Sequence, residues 1–259
     1  MLRRIDIQSI IALCALTFCV PSAVAFEGQD FVPSVFLTRL GGATPVNSIL
    51  RFVNEGRSAG TVTLTLYDAA TGTQLATWTS VSIPSGAGLQ ATMAQVIGAS
   101  TPSLSTSEQT ALLNGALTAT FPGTVQQLTI GTSDIVDQTQ CGSDRILGYV
   151  EGPAFPNVTG AIALSNNGST TGTITLRISD ASTGTELGVW TSASVPAHGT
   201  VTVTSAAIAA AATPVVPSTT AALNIVPTKA TARLQVEHVA VLAGQTIASN
   251  LTASCPLHE

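Results

Sequence analysis

The chain reads as an all-β protein of two tandem antiparallel β-sandwiches, and three observations predict it. The first is a direct repeat. LRFVNEGRSAGTVTLTLYDAATGTQLATWTSVSIP from Leu50 returns without a gap, at an offset of 112 residues, as IALSNNGSTTGTITLRISDASTGTELGVWTSASVP from Ile162, which marks one module present twice. The second is strict apolar alternation with period two, the mark of strands with one buried face. The third is the recurrence of turn signals every ~8 to 12 residues, which with about seven short strands in ~115 residues is the profile of a sandwich.

The elements follow in order. Each module opens with a strand, near 35–40 and 145–150. In the first copy Leu50 and Phe52 share a face, and Val62, Leu64 and Leu66 share one opposite Thr61, Thr63, Thr65 and Tyr67. The second copy keeps this parity, with Ile162 and Leu164, then Ile174, Leu176 and Ile178, against Thr173, Thr175, Arg177 and Ser179. The turns between them carry Asn54 with Gly56 and Asn166 with Gly168. There Asn bonds its own backbone and Gly accepts positive φ. Asp68 with Gly72 and Asp180 with Gly184 form the next hairpin tips, Asp as acceptor and Gly left-handed. Beyond Pro84 and Pro196 the copies lose register but keep their order. Leu117–Phe121 matches Leu223–Val226, and Val125–Ile130 matches Ala232–Val236. STSEQTALLN, 105–114, has a Ser/Thr cap with Gln109 behind it and predicts one short helix. AAIAAAATPVVP in the second copy reads as either strand or short helix.

Residues 1–25 read as a secretory signal: Arg3 and Arg4, an apolar stretch from Ile10 to Val20, and Ala23-Val24-Ala25 before Phe26. The apolar stretch is too short for a spanning helix, so the exported product is expected not to span a membrane. The remainder divides into a first domain at 26–142 and a second at 143–259, each large enough for its own core. Cleavage removes two of the nine basic and one of the fourteen acidic residues, leaving a net charge of −6 with Lys229 as the sole lysine. That balance excludes nucleic acid and anionic membrane as partners.

Taken together, N-x-G, G-T-[VI]-T-L, D-A-x-T-G-T-x-L and W-T-S-x-S-[IV]-P resemble the immunoglobulin-like sandwich repeats of exported bacterial proteins, over about a third of the chain. The resemblance implies an immunoglobulin-like fold and adhesive, spacer, sugar-binding or envelope-structural roles. Neither module has two cysteines bracketing a core Trp, so the intrasheet staple of antibody domains does not carry over.

Few residues offer chemistry. Cys141 and Cys255 end their respective modules, and a pair in an exported chain reads as a disulfide, within the chain or between chains. Trp78 and Trp190 are the only tryptophans. Alternation places them opposite Leu75, Val81 and Ile83, and opposite Leu187, Ala193 and Val195, hence outward, as stacking platforms for sugars or anchors for a protein; a bulge around Thr79-Ser80 and Thr191-Ser192 would bury them instead. Asp68 and Asp180 provide one carboxylate per loop, too few for calcium. His198, His238 and His258 form no metal spacing, and no nucleophile elbow or phosphate loop accompanies them. No cofactor and no catalytic residue is expected. The function these features predict is a non-enzymatic structural or adhesive module of the cell surface or extracellular matrix, with a protein partner, itself included as a homo-oligomer. The alternative is a soluble periplasmic or secreted module that binds carbohydrate or protein through the Trp78 and Trp190 faces.

Overall fold

A computed structural model describes residues 30–35, 47–109, 111–130, 135–137, 147–155, 158–242 and 248–250. Residues 1–25, read as a secretory signal from the sequence, and Cys141, Cys255 and His258 lie outside them. The chain is all-β, built of antiparallel sheets with three short helices among the described residues. The first half comprises β1 (Asp30–Val35), β2 (Asn47–Asn54), β3 (Val62–Asp68), β4 (Gln74–Thr79), β5 (Gly88–Thr92), α1 (Met93–Gly98), α2 (Thr106–Gln109), β6 (Leu113–Ala119), β7 (Gly123–Ile130) and β8 (Ile135–Asp137). The second comprises β9 (Leu147–Glu151), β10 (Val158–Asn166), β11 (Ile174–Asp180), β12 (Glu186–Thr191), β13 (Thr200–Thr204), α3 (Ser205–Ala211), β14 (Ala222–Ala230), β15 (Leu234–Leu242) and β16 (Ala248–Asn250).

Two sheets form in each half, ordered β1-β6-β3-β4 and β5-β2-β7-β8, then β9-β14-β11-β12 and β13-β10-β15-β16. The second pair has the strand order of the first, eight strands on. Each half buries one apolar cluster fed by both of its sheets. Leu50 and Phe52 of β2 meet Leu64 and Leu66 of β3 and Leu113 and Leu117 of β6. Ile162 and Leu164 of β10 meet Leu176 and Ile178 of β11 and Leu223 and Ile225 of β14. Those of β2, β3, β10 and β11 are the inward residues that alternation predicts, and each fully buried Leu or Ile contributes about 1.5–3 kcal/mol.

Beyond Pro84 and Pro196 the correspondence runs further than the sequence reading allows. Thr92 and Thr204, 112 residues apart, N-cap α1 and α3. Thr101-Pro102 and Thr213-Pro214, again at that offset, are both cis, and each threonine bridges the edge strand of its sheet. The helix expected over 105–114 is shorter: α2 ends at Gln109 and β6 begins at Leu113. Its cap partner is Glu108, whose Oε2 accepts the Ser105 N–H at 2.7 Å. Gln109 instead donates to the Leu104 carbonyl at 2.9 Å. AAIAAAATPVVP, 206–217, is helical as far as Ala211, the end of α3, and Thr213 beyond it makes the bridge to β12.

Candidate functional site

The turn residues do what their chemistry predicts, with one correction. Asn54, fully buried, donates through Nδ2 to the carbonyls of Ser58 and Ile83, both at 2.9 Å, and accepts the Gly56 N–H at 2.9 Å. Asn166 repeats this to Thr170 (2.8 Å), Val195 (3.1 Å) and Gly168 (2.9 Å). Each amide thus staples a turn to the distant strand connection that passes it. Gly56 and Gly168 are not left-handed. A Cβ on Gly56 would lie 3.0 Å from both Asn54 Oδ1 and Pro122, so close approach is what excludes a side chain there. Positive φ belongs to Gly72 (71°) and Gly184 (72°) at the hairpin tips. There Asp68 Oδ1 accepts the Thr71 N–H at 2.8 Å. Asp180 Oδ1 accepts those of Ser182 and Thr183 at 2.9 and 2.8 Å, and the Thr183 and Ser182 amides hold its carboxyl below the usual range.

Both tryptophans are buried, each 8% exposed and part of its apolar cluster, with Trp78 stacked on Phe52 at a centroid distance of 6.2 Å. The outward placement expected from Leu75, Val81 and Ile83 is therefore corrected. In β4 it is Ala76 and Trp78 that point inward. The register slips between Leu66 and Tyr67, where β3 pairs Ala76 and then Gln74, so Leu75 is the extra residue of a bulge. Leu187 holds the same place in β12. Counting parity from a bulge residue inverts the strand.

One polar cluster sits inside the second half. His238 Nε2 lies 2.7 Å from Glu151 Oε2, with side chains 2% and 8% exposed. A Cβ placed on Gly160 would fall 2.4 Å from Glu151 Oε2 and 2.9 Å from Ser205 Oγ, so glycine is what admits both groups. A serine, a histidine and a glutamate therefore meet. The Ser205 hydroxyl donates to the Gly160 carbonyl at 3.1 Å, and His238 Nε2 faces the glutamate. Beside His238 on β15, Glu237 buries Oε1 without a hydrogen-bond partner, and burial pushes its pKa up to about 8. Among the described residues no three His, Cys, Asp or Glu are placed to hold a metal ion, and no helix is long and apolar enough to cross a membrane.

The least expected arrangement joins the two halves. His198, in the turn between β12 and β13, stacks on Tyr67 at a centroid distance of 4.3 Å and an interplanar angle of 18°. Its backbone is left-handed, φ 57°. Its carbonyl accepts from Asn114 Nδ2 at 2.7 Å, the Thr200 N–H donates to the Ala69 carbonyl at 2.7 Å, and the Thr200 hydroxyl donates to Asn114 Oδ1 at 3.1 Å. Burial in this joint raises the Tyr67 phenol above its ordinary pKa. Periodicity does not mark these residues. The signal that does is divergence between the copies: 112 residues from Tyr67 stands Ser179, and 112 before His198 stands Gly86. Comparison with protein-family profiles, with curated proteins and with solved structures found no match.

Proposed function

We propose that this chain is an exported, non-enzymatic structural or adhesive module of the cell surface or extracellular matrix that acts through protein contacts. In this reading its halves, 26–142 and 143–259, are immunoglobulin-like sandwich domains related by internal duplication, released from the 1–25 signal. The observation that carries it is what the repeated residues are used for. Asn54 and Asn166, Thr92 and Thr204, Trp78 and Trp190 serve staples, caps and cores. Among the described residues, the cluster with the residue types of catalysis, Glu151, His238 and Ser205, is buried. A glycan platform on Trp78 and Trp190 draws no support, because both rings are core.

The sheet edges narrow the kind of contact. Thr101 and Thr213 bridge the edge strands β4 and β12, β1 and β9 are bulged, and β8 and β16 are three residues long. Those six edges resist strand addition, which leaves turns, end faces and the regular edges of β5 and β13 as the contact surfaces. A disulfide between Cys141 and Cys255 within the chain belongs to the same reading, supported by the close approach of β8 and β16, which end shortly before the two cysteines.

Fractionation of the producing cells, with non-reducing and reducing gels probed for the mature chain, tests the reading. The expected result is chain in sheared surface or matrix material, each monomer moving slightly more slowly once reduced. Recovery of freely soluble periplasmic chain alone, or turnover of ester or peptide substrates that His238→Ala abolishes, overturns it.

A further inference from the structure

The joint between the halves is heterologous: a turn of the second repeat, 196–200, sits on an end face of the first. A contact of that kind leaves one turn and one face unused. The unused face belongs to the second repeat. A Cβ on Gly72 would meet the Ala197 carbonyl at 1.8 Å, whereas one on its counterpart Gly184 meets nothing within 4 Å. Ala69 and Asn114 are buried, whereas Ala181 and Asn224 are half-buried. The hydrogen-bonding groups are nevertheless retained. Asn224 stands opposite Ser179 in the ladder as Asn114 stands opposite Tyr67. The Tyr149 N–H donates to Asn224 Oδ1 at 3.3 Å, leaving Nδ2 without a partner among the described residues.

The unused turn belongs to the first repeat. Gly86 is left-handed at φ 70°, as His198 is at 57°. Residues 84–86 are exposed. Gly88 pairs with Val53 on the edge strand β5 as Thr200 pairs with Ser165 on β13, and Thr200 supplies the N–H of the joint.

We infer that the end face of the second repeat is a docking site for the 84–88 turn of another copy of this chain. The Gly88 N–H donates to the Ala181 carbonyl, and Asn224 Nδ2 donates to the Gly86 carbonyl. The ring pair is not reproduced, since Ser179 and Gly86 stand for Tyr67 and His198. Tyr149 offers aromatic surface beside Asn224 instead, 73% exposed and itself held left-handed at φ 55°. Each chain presents one turn and one face, so the contact repeats as an open head-to-tail row. It lacks the effective concentration that favours the joint within a chain, and so belongs to a crowded surface or matrix. This assignment rests on the structural-module reading.

Sedimentation velocity of the mature chain over a concentration series tests it. The expected result is a mass that climbs without a dimer plateau. Asn224→Asp keeps the acceptor for the Tyr149 amide but sets an acceptor against the Gly86 carbonyl, and Ser85→Glu puts bulk on the turn. Each raises the concentration at which association begins by tenfold or more; Asn224→Asp leaves the melting temperature unchanged, and Ser85→Glu matches the melting temperature of Ser85→Ala, which loses the same 2.6 Å bond from the Ser85 hydroxyl to the Gly56 carbonyl yet still associates. Mixed together, the two variants retain one good face and one good turn between them and stop at a dimer. A chain that stays monomeric at its solubility limit overturns the dock, and if it still fractionates with surface material the structural reading stands. Assembly indifferent to both variants likewise overturns the dock, placing the contact elsewhere.

Discussion

At the scale of the residue, the chain spends its few buried polar groups in two ways. Asn54 and Asn166 are fully satisfied and so stabilise: each closes three backbone hydrogen bonds that would otherwise be left open. Glu237 is the opposite case, a carboxyl whose Oε1 is buried without a partner and whose pKa is pushed to about 8. The folded state holds its proton far more tightly than the unfolded chain does. The resulting stability is fully present below the unfolded carboxylate pKa and is lost as pH rises toward and through about 8. Denaturant unfolding of the protein is therefore expected to show stability falling between about pH 5 and pH 8, by on the order of a few kcal/mol. Glu237→Gln removes the titrating proton, flattens this profile and stabilises the protein at the alkaline end. A profile that keeps its slope in the variant would assign it to another group. The same strand places His238 against Glu151, a pair that keeps its own hydrogen bond on the inner face. Neighbours in sequence thus meet opposite environments, as alternation requires.

At the scale of the element, two helices with one position in the repeat differ in how they start. Thr92 accepts the Gln95 N–H and Gln95 Oε1 accepts the Thr92 N–H at 2.9 Å, a reciprocal capping box. Thr204 accepts the Ala207 N–H at 3.2 Å, and alanine returns nothing. Thr92→Ala is expected to cost about 1 kcal/mol or more, Thr204→Ala about half of that, and Ala207→Gln to complete the box and add about 0.5 kcal/mol. Thermal melting of the three variants reads these values, and a destabilised Ala207→Gln would show that no box forms there. Strands β2, β3, β10 and β11 were legible in advance because their core residues alternate without interruption. β4 and β12 were legible as strands, with burial of Trp78 and Trp190 the alternative that a break in alternation offered; Leu75 and Leu187 stand in bulges, and alternation breaks again after Ser80, where Val81 is exposed and Ile83 buried. α1 was missed because its cap follows β5 without a loop, so neither a turn signal nor a second apolar period separates them. Of the candidate site residues, the turn Asn and Asp roles were readable because they are local. The meeting of Glu151, His238 and Ser205 was not, because only sheet topology brings those three together.

At the scale of the whole molecule, the joint between halves carries the arrangement of the two repeats. A left-handed His198 costs about 1–2 kcal/mol, and an aromatic stack returns about 0.5–1.5 kcal/mol. The ring contact alone roughly offsets the strain. The balance comes from the Asn114 and Thr200 hydrogen bonds, which meet the turn on both sides of His198. Two of those bonds rest on backbone groups of the turn that any tight turn could present, whereas the third comes from the Thr200 hydroxyl, which Gly88 at the matching place lacks. The choice lies with Tyr67, His198 and the Thr200 hydroxyl, joint groups whose counterparts Ser179, Gly86 and Gly88 cannot replace them. Exchanging the two rings for their counterparts, Tyr67→Ser and His198→Gly, therefore tests their share of the specificity directly. His198→Gly alone removes strain and stack together and is expected to change global stability by less than about 1 kcal/mol. Tyr67→Ser alone leaves the histidine strained with no ring to meet, and costs more. The double-mutant cycle should return a coupling of about 0.5–1.5 kcal/mol, against the ~0.3–0.5 kcal/mol scatter of independent sites. Small-angle scattering of the double variant should show a wider spread of separations between halves, with both cores melting as before. Additive energies with unchanged scattering would mean that the Asn114 and Thr200 bonds select the turn by themselves, and that Tyr67 and His198 merely fill the space between.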